Sequence, residues 1–216
     1  MEPPKVIFLD AVGTLFGVRG SVGEIYSAIA RKIENLEVSP EVLDLAFYQS
    51  FKASPPLAFA GNVEPDKIPQ LEFDWWEAIA VDTFTRAGAI ERFDDFKYFF
   101  QELYAYFATS KPWYVYPEVL PTLTKWQKNG IKLGIISNFD TRIYQVIENL
   151  KLEKLFSTIT ISSIVGAAKP NSKIFSVALH KHNLKPKDAW HIGDSLKEDY
   201  DGAKAVGIRS FLLRRI

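Results

Sequence analysis

The chain has 216 residues, enough for one domain or for a core carrying one large insertion. Its 26 Lys+Arg balance 26 Asp+Glu, which excludes a protein held on nucleic acid by charge alone, because such binding rests on many cationic contacts to phosphates. It has no cysteine, so disulfides, thiolate metal sites and a cysteine nucleophile are excluded, and with 47% apolar and 24% charged residues it is an ordinary folding chain.

Val6-Ile7-Phe8-Leu9 is apolar without alternation, the mark of a strand buried on both faces, as in a parallel sheet. It stops at Asp10. Gly13, Gly17, Gly20 and Gly23 follow, so turns and a flexible connection are expected before any helix. Ser21 with Glu24 reads as a capping box, with Ile25, Ile29 and Ile33 on one helical face. Ser39-Pro40-Glu41 reads as a cap, a first helical position and a first-turn acid, opening a helix to about Phe51. Residues 54–69 read as a Pro/Gly-rich loop, and residues 71–86 and 93–108 as two more helices. No strand is expected between residues 20 and 110.

After Trp113 the pattern changes. A helix over 118–129 ends at Gly130, and strands are expected at 131–136, 158–161, 190–192 and 209–213. Helices are expected at 142–150, 172–182 and 197–206 between them. Alternation of this kind means a parallel α/β sheet. The expected fold is therefore α/β, a Rossmann-like parallel-sheet core of residues 1–16 and 113–216, interrupted by an all-helical insertion of residues 17–112. The longest uncharged run, residues 155–168, has 14 residues, whereas a spanning helix needs roughly 17–25. The N-terminus carries no signal-peptide core. A cytoplasmic protein with neither membrane nor nucleic acid as partner is expected.

Three of the expected strands end on polar side chains: Asp10, Ser137 and Asp194. In open α/β sheets ligands bind beyond the carboxyl ends of the strands, where strand order reverses. If these strands are neighbours, the three side chains converge, and Lys169 in Gly166-Ala167-Ala168-Lys169-Pro170 joins them from the next loop. Two carboxylates, a hydroxyl and an ammonium suit a divalent metal and an anionic substrate. Singly, each residue is an ordinary turn or cap residue; their order is what points to a site.

The run Asp10-Ala11-Val12-Gly13-Thr14-Leu15, then Ser137-Asn138, then Lys169-Pro170, then Gly193-Asp194-Ser195-Leu196 with Asp199, resembles the four ordered signatures of the haloacid dehalogenase superfamily. The helical insertion is similar to that superfamily's cap domain. The resemblance implies that Asp10 is a nucleophile that forms an aspartyl-phosphate from a small phosphorylated substrate. It implies Mg²⁺ held by Asp10, Asp194 and the Val12 carbonyl, which neutralises the charge between carboxylate and phosphate. Ser137, Asn138 and Thr14 would bind the phosphoryl group, Thr14 with Gly13 in a turn whose N–H groups face it. Lys169 would neutralise charge there and hold Asp10 ionised, and Asp199 would support the metal site or orient Lys169.

One position departs from the pattern. Phosphatases of the superfamily carry a second aspartate two residues after the nucleophile, for general acid–base work worth 10²–10⁴-fold. Val12 stands there, and valine transfers no proton. Three functions follow: a phosphatase that is slow, uses good leaving groups or borrows an acid from Asp140 or the cap; a non-catalytic binding protein of the same fold; and a 2-haloacid dehalogenase, whose leaving halide needs no proton. Against the last stands the acidic Gly193-Asp194 signature. His180 and His182 lie two apart on a helix and cannot share a metal, and His191 reads as a core residue. Finally, 19 of the 30 aromatic residues fall between Phe47 and Tyr116. They read first as the core filling of a small helical unit, and second as the lining for an apolar substrate or partner.

Overall fold

The structure is a computed structural model and describes residues 3–61 and 63–215. Strand β1 (Val6–Leu9) is the centre of a five-stranded sheet with β4 (Lys132–Ser137), β5 (Thr158–Ile161), β6 (Ala189–Gly193) and β7 (Arg209–Leu212), in the order β5-β4-β1-β6-β7. Every pairing is parallel. β1 has strands on both sides and layers on both faces, which is why its four residues are apolar without alternation. Ile7 and Leu9 point to one face, against Leu123 of α5 (Val119–Lys128) and Ile143, Val146 and Ile147 of α6 (Arg142–Asn149). Val6 and Phe8 point to the other, against Ile174, Phe175 and Ala178 of α8 (Ser172–Lys181) and Ala203 of α9 (Gly202–Ala205). The period of two along one strand thus builds two separate cores.

Between the first strand and the rest lies a helical unit: α1 (Val22–Glu34), α2 (Pro40–Ala53), α3 (Ile68–Arg86) and α4 (Phe96–Phe107). It has its own core, in which Ile25, Leu43, Ala80, Phe84 and Phe99 are buried. The capping box is present on α1: Ser21 Oγ accepts from Glu24 N at 3.1 Å, and the Glu24 carboxylate accepts from Ser21 N at 3.2 Å. Pro40 opens α2 behind its N-cap Ser39. α3 starts three residues before the expected Leu71, because Pro69 sits in the first turn, where its missing N–H is no loss. α4 starts at Phe96 behind its N-cap Asp95, whose carboxylate accepts from Tyr98 N, rather than at Phe93.

Three features differ from expectation. The stretch after Gly13 is not a flexible connection: β2 (Phe16–Val18) pairs antiparallel with β3 (Trp113–Val115), tying the two ends of the helical unit together. A one-turn helix α7 (Ser162–Val165) follows β5. And the last expected helix begins as a π-helical turn, Leu196–Asp201, before it becomes α9. No helix among the described residues is long and apolar enough to cross a membrane.

Candidate active site

Sheet order places the site. From β1 the chain continues to β4 and β5 on one side and to β6 and β7 on the other, so order reverses around β1. Leu9 is level with Ile135 and with Ile192. Asp10, Ser137 and Asp194 therefore leave three adjacent strands at nearly one height, and the expected convergence is what the fold produces.

Lys169 is the hub. Its Nζ donates to Asp10 Oδ1 and to Asp199 Oδ1, both at 2.6 Å, and Ser137 Oγ donates to Asp10 Oδ1 at 3.2 Å. Lys169, Asp10 and Asp199 are all buried. The loop that carries Lys169 is pinned by Asn138, whose amide accepts from Lys169 N at 2.7 Å and donates to Lys169 O at 3.1 Å. Asn138 also donates to Glu198 at 3.2 Å, so its amide is engaged with the loop. Asp199 is gripped from the other side: it accepts from Ser195 N at 3.0 Å and pairs with His191 Nε2 at 2.9 Å. An ionised carboxylate only accepts, so Nε2 carries the proton. The π-helical turn is what swings Asp199 inward, consistent with the habit of π-bulges at functional sites.

Two glycines make room. A Cβ on Gly13 would stand 2.3 Å from Asp194 Oδ2, and Gly13 also takes φ +85°, a conformation that favours glycine. A Cβ on Gly193 would stand 2.1 Å from the Asp199 carboxyl carbon. The Gly13 turn closes on itself: Gly13 N donates to Phe16 O at 2.9 Å and Thr14 N to Ala11 O at 3.3 Å. Those two N–H groups point into the turn and not toward the cluster, contrary to expectation. Thr14 is buried outside the cavity lining, whereas Val12 borders it with Asp10, Ser137, Asn138, Lys169, Asp194 and Asp199.

The electrostatics show a surplus of negative charge. Asp10, Asp194 and Asp199 place carboxylate oxygens within 4.8 Å of one another around one ammonium. Burial raises the Asp10 carboxyl above its ordinary range, with Lys169 opposing and Asp199 adding. Asp194 stands exposed at the rim of the cluster, and partial desolvation with the charges of Asp10 and Asp199 raises its carboxyl. Burial pushes Asp199 up too, but the His191 hydrogen bond and the Lys169 charge outweigh it and hold Asp199 well below the usual range. Burial works against the Lys169 ammonium, yet Asp10 and Asp199 keep its pKa above the ordinary lysine value. Asp10 and Asp194 thus keep an unmet demand for positive charge, and their all-oxygen donor set suits a small hard dication.

Several neighbours had no signature in the sequence. Arg215 donates from Nε to the Gly13 carbonyl at 2.8 Å and lies over the Tyr116 ring at 3.2 Å, bracing the turn from a segment that looks like surface. Asp140, expected as a source of protons, is fully buried and engaged: Arg142 binds both its oxygens, at 2.9 and 2.6 Å, and Trp76 Nε1 donates to it at 2.7 Å. Glu72 of α3 is buried against Thr141, whose N–H it accepts at 3.0 Å. The only advance signal was the run of polar residues Asp140-Thr141-Arg142 just after β4.

A model of haloacid dehalogenase-like hydrolases matches residues 4–207. The haloacid dehalogenase-like hydrolase domain-containing protein 3 of Bos taurus is 32% identical over 213 residues, covering 97% of this chain and 81% of that protein. The glyceraldehyde 3-phosphate phosphatase of Methanopyrus kandleri is 36% identical over 110 residues, 50% of this chain and 46% of that one. In fold, the L-2-haloacid dehalogenase of Xanthobacter autotrophicus superposes with a TM-score of 0.69 at 17% identity, over 99% of this chain and 79% of that chain.

Proposed function

The chain belongs to the haloacid dehalogenase-like hydrolase family, and on that footing we propose that it is a phosphatase acting on a small phosphate monoester, with Asp10 as nucleophile. The observation that carries this is the pairing of Asp10 and Asp194 beside the buried Lys169. A bare cluster of three carboxylates would repel any anion, a haloacid included; a cluster that takes up a dication accepts a phosphoryl group. Asp10, Asp194 and the Val12 carbonyl would hold Mg²⁺, which supplies neutralisation of charge between carboxylate and phosphate.

The chain's own residues do the rest. An Asp10 oxygen attacks phosphorus while the bond to the ester oxygen breaks, giving an aspartyl-phosphate and an alcohol that takes a proton. Water then cleaves the acyl-phosphate, releasing inorganic phosphate and restoring the Asp10 carboxylate. Lys169 offsets charge on the phosphoryl oxygens and holds Asp10 in its nucleophilic form. Ser137, which donates to Asp10 at 3.2 Å, turns its hydroxyl to a phosphoryl oxygen. Asp199 and Asn138 position Lys169, one by its side chain and the other by its backbone. Thr14 supports the turn that brings Val12 and Gly13 to the site. Residues 17–112 form a cap over the catalytic unit of residues 1–16 and 113–216, and select the substrate.

Val12 leaves the departing alcohol without the usual acid, and Asp140 is bound up with Arg142, so the proton comes from solvent or from the substrate's surroundings. A phosphatase of this kind is slow with poor leaving groups. The same vacancy at position 12 favours a second function, a protein that binds phosphorylated ligands without turnover. The test is hydrolysis of an aryl phosphate with Mg²⁺. Turnover that EDTA and Asp10→Asn both abolish supports the phosphatase. Mg²⁺-independent release of chloride from 2-chloropropionate would replace it with dehalogenation, and saturable Mg²⁺ binding without turnover of any phosphate ester would replace it with the binding role.

A further inference from the structure

A cavity of about 830 Å³ joins the carboxylate cluster to the helical unit. Its volume is that of a site for a drug-sized ligand, far more than a phosphoryl group with a short carbon chain fills. The polar end is the cluster just described. The other end is built of rings. Phe47, Phe51 and Trp76 lie nearly parallel, Phe47 to Phe51 at 5.8 Å and 25°, and Phe51 to Trp76 at 6.0 Å and 26°. Trp75 meets Phe51 edge-on at 87°. Phe51 is 47% exposed, a large apolar face turned to the cavity rather than packed in the core of the helical unit.

The indole and guanidinium groups of this ring wall are already engaged within the protein, and the ammonium of Lys52 stands beside it near the Tyr48 ring. Trp75 Nε1 donates to the Pro55 carbonyl at 3.0 Å and Trp76 Nε1 to Asp140 at 2.7 Å. Arg142 gives two donors to Asp140 and a third to the Tyr104 carbonyl at 3.1 Å, and its guanidinium plane covers the Tyr104 ring at 3.7 Å. At the Arg142 side of the wall a second acidic group on a ligand would meet a guanidinium that Asp140 has neutralised. Laid against the ring faces, the hydroxyls of a sugar would lose water without gaining a partner there, a penalty that a ring does not incur.

Building on the phosphatase function above, we propose that the alcohol part of the substrate is a flat, uncharged aromatic group that stacks along Phe51 and meets Trp75 edge-to-face, so that the chain hydrolyses phosphate monoesters of aromatic alcohols in preference to sugar phosphates and phosphorylated small acids. The reaction is ester plus water giving the aromatic alcohol and inorganic phosphate, with one phosphate oxygen drawn from water.

The test compares kcat/KM with Mg²⁺ for 2-naphthylmethyl phosphate, glycerol 3-phosphate and 2-phosphoglycolate, all of which release alkyl alcohols, in the native chain, Phe51→Ala and Trp75→Ala. The native chain is expected to favour the naphthyl ester by at least about 10-fold, and each substitution to shrink that preference by at least about 5-fold. A parallel titration follows tryptophan fluorescence with 2-naphthylmethylphosphonate and with methylphosphonate. Comparable kcat/KM for all three esters would overturn the aromatic preference and leave the phosphatase standing. No hydrolysis, but binding of the naphthyl phosphonate that is at least about 10-fold tighter than that of methylphosphonate and weakened in Phe51→Ala, would sink the phosphatase and sustain the aromatic site. Equal binding of the two phosphonates would overturn the aromatic site whatever the kinetics.

Discussion

Lys169 sits where three carboxylates meet, and its removal separates what holds the site together from what the site does. Lys169→Met leaves Asp10 and Asp199 buried without a counter-charge, a change that costs about 3–5 kcal/mol in comparable buried pairs. Urea unfolding at pH 7 should show a loss of that order, and a loss under about 1 kcal/mol would mean that water reaches the cluster freely. His191 gives the site a pH signature. Burial lowers its pKa below the ordinary 6.5, so the neutral form is the folded one. A histidine depressed in this way contributes stability in full above pH 6.5 and loses it as pH falls toward its folded pKa, at up to about 1.4 kcal/mol per pH unit. Asp199, also depressed, loses its contribution in the same direction but only below the ordinary carboxylate range. Asp10, raised, opposes both. The urea midpoint of the native chain should therefore fall between pH 7 and pH 5, and His191→Gln should flatten that slope; an equally steep slope in the variant would assign it to other groups. At position 12 the expected change is in rate. Val12→Asp restores a proton donor two residues from Asp10 and should raise kcat for an alkyl phosphate by about 10²-fold or more. An unchanged rate would show that proton transfer does not limit the reaction.

At the scale of elements, local signals and long-range ones part company. Two serines cap adjacent helices, but not equally. Ser21 Oγ accepts from Glu24 N at 3.1 Å, and Glu24 answers it. Ser39 Oγ reaches Val42 N at only 3.4 Å while its hydroxyl donates to Glu41. Ser21→Ala should cost about 1 kcal/mol in urea unfolding and Ser39→Ala about half that; equal losses would mean that the reciprocal bond from Glu24 adds nothing. Both caps were legible because a cap is written within four residues. β1 was legible for a similar reason, since burial on two faces forbids polar residues along Val6–Leu9. The β2–β3 ribbon was not: each strand has three residues, too few for a period to register, and their partners lie nearly a hundred residues apart. The π-helical turn was hidden for another reason. Leu196–Asp201 has ordinary helix-forming content, and the wider turn shows only together with the contacts of Asp199 to Lys169 and His191. The four polar signatures of the site could be read in order along the chain, whereas supports such as Arg215 and Glu72 could not, because they act through tertiary contacts that leave no local pattern.

For the molecule as a whole, the question is what fixes the helical unit over the sheet. Three consecutive residues after β4 carry much of it. Asp140 receives the indole N–H of Trp76, Thr141 binds Glu72 through its N–H and its hydroxyl, and Arg142 donates to the Tyr104 carbonyl. All three partners belong to α3 and α4. Arg142 and Asp140 are also each other's counter-charge, and the Asp140 side chain is fully buried. Removing only the cation strands that charge away from water. Arg142→Leu should therefore cost about 3–5 kcal/mol, and adding Asp140→Asn should restore a substantial part of it, because the double variant buries no unpaired charge. Urea unfolding of the native chain, both single variants and the double variant closes the cycle. A coupling energy near zero would mean that Asp140 and Arg142 contribute independently of each other, each through its own contact to the helical unit. A coupling of about 2 kcal/mol or more would show that the two residues act as one ion pair when they hold Trp76 and the Tyr104 carbonyl, and would explain why an arginine bordering the cavity is unavailable to a second anionic group.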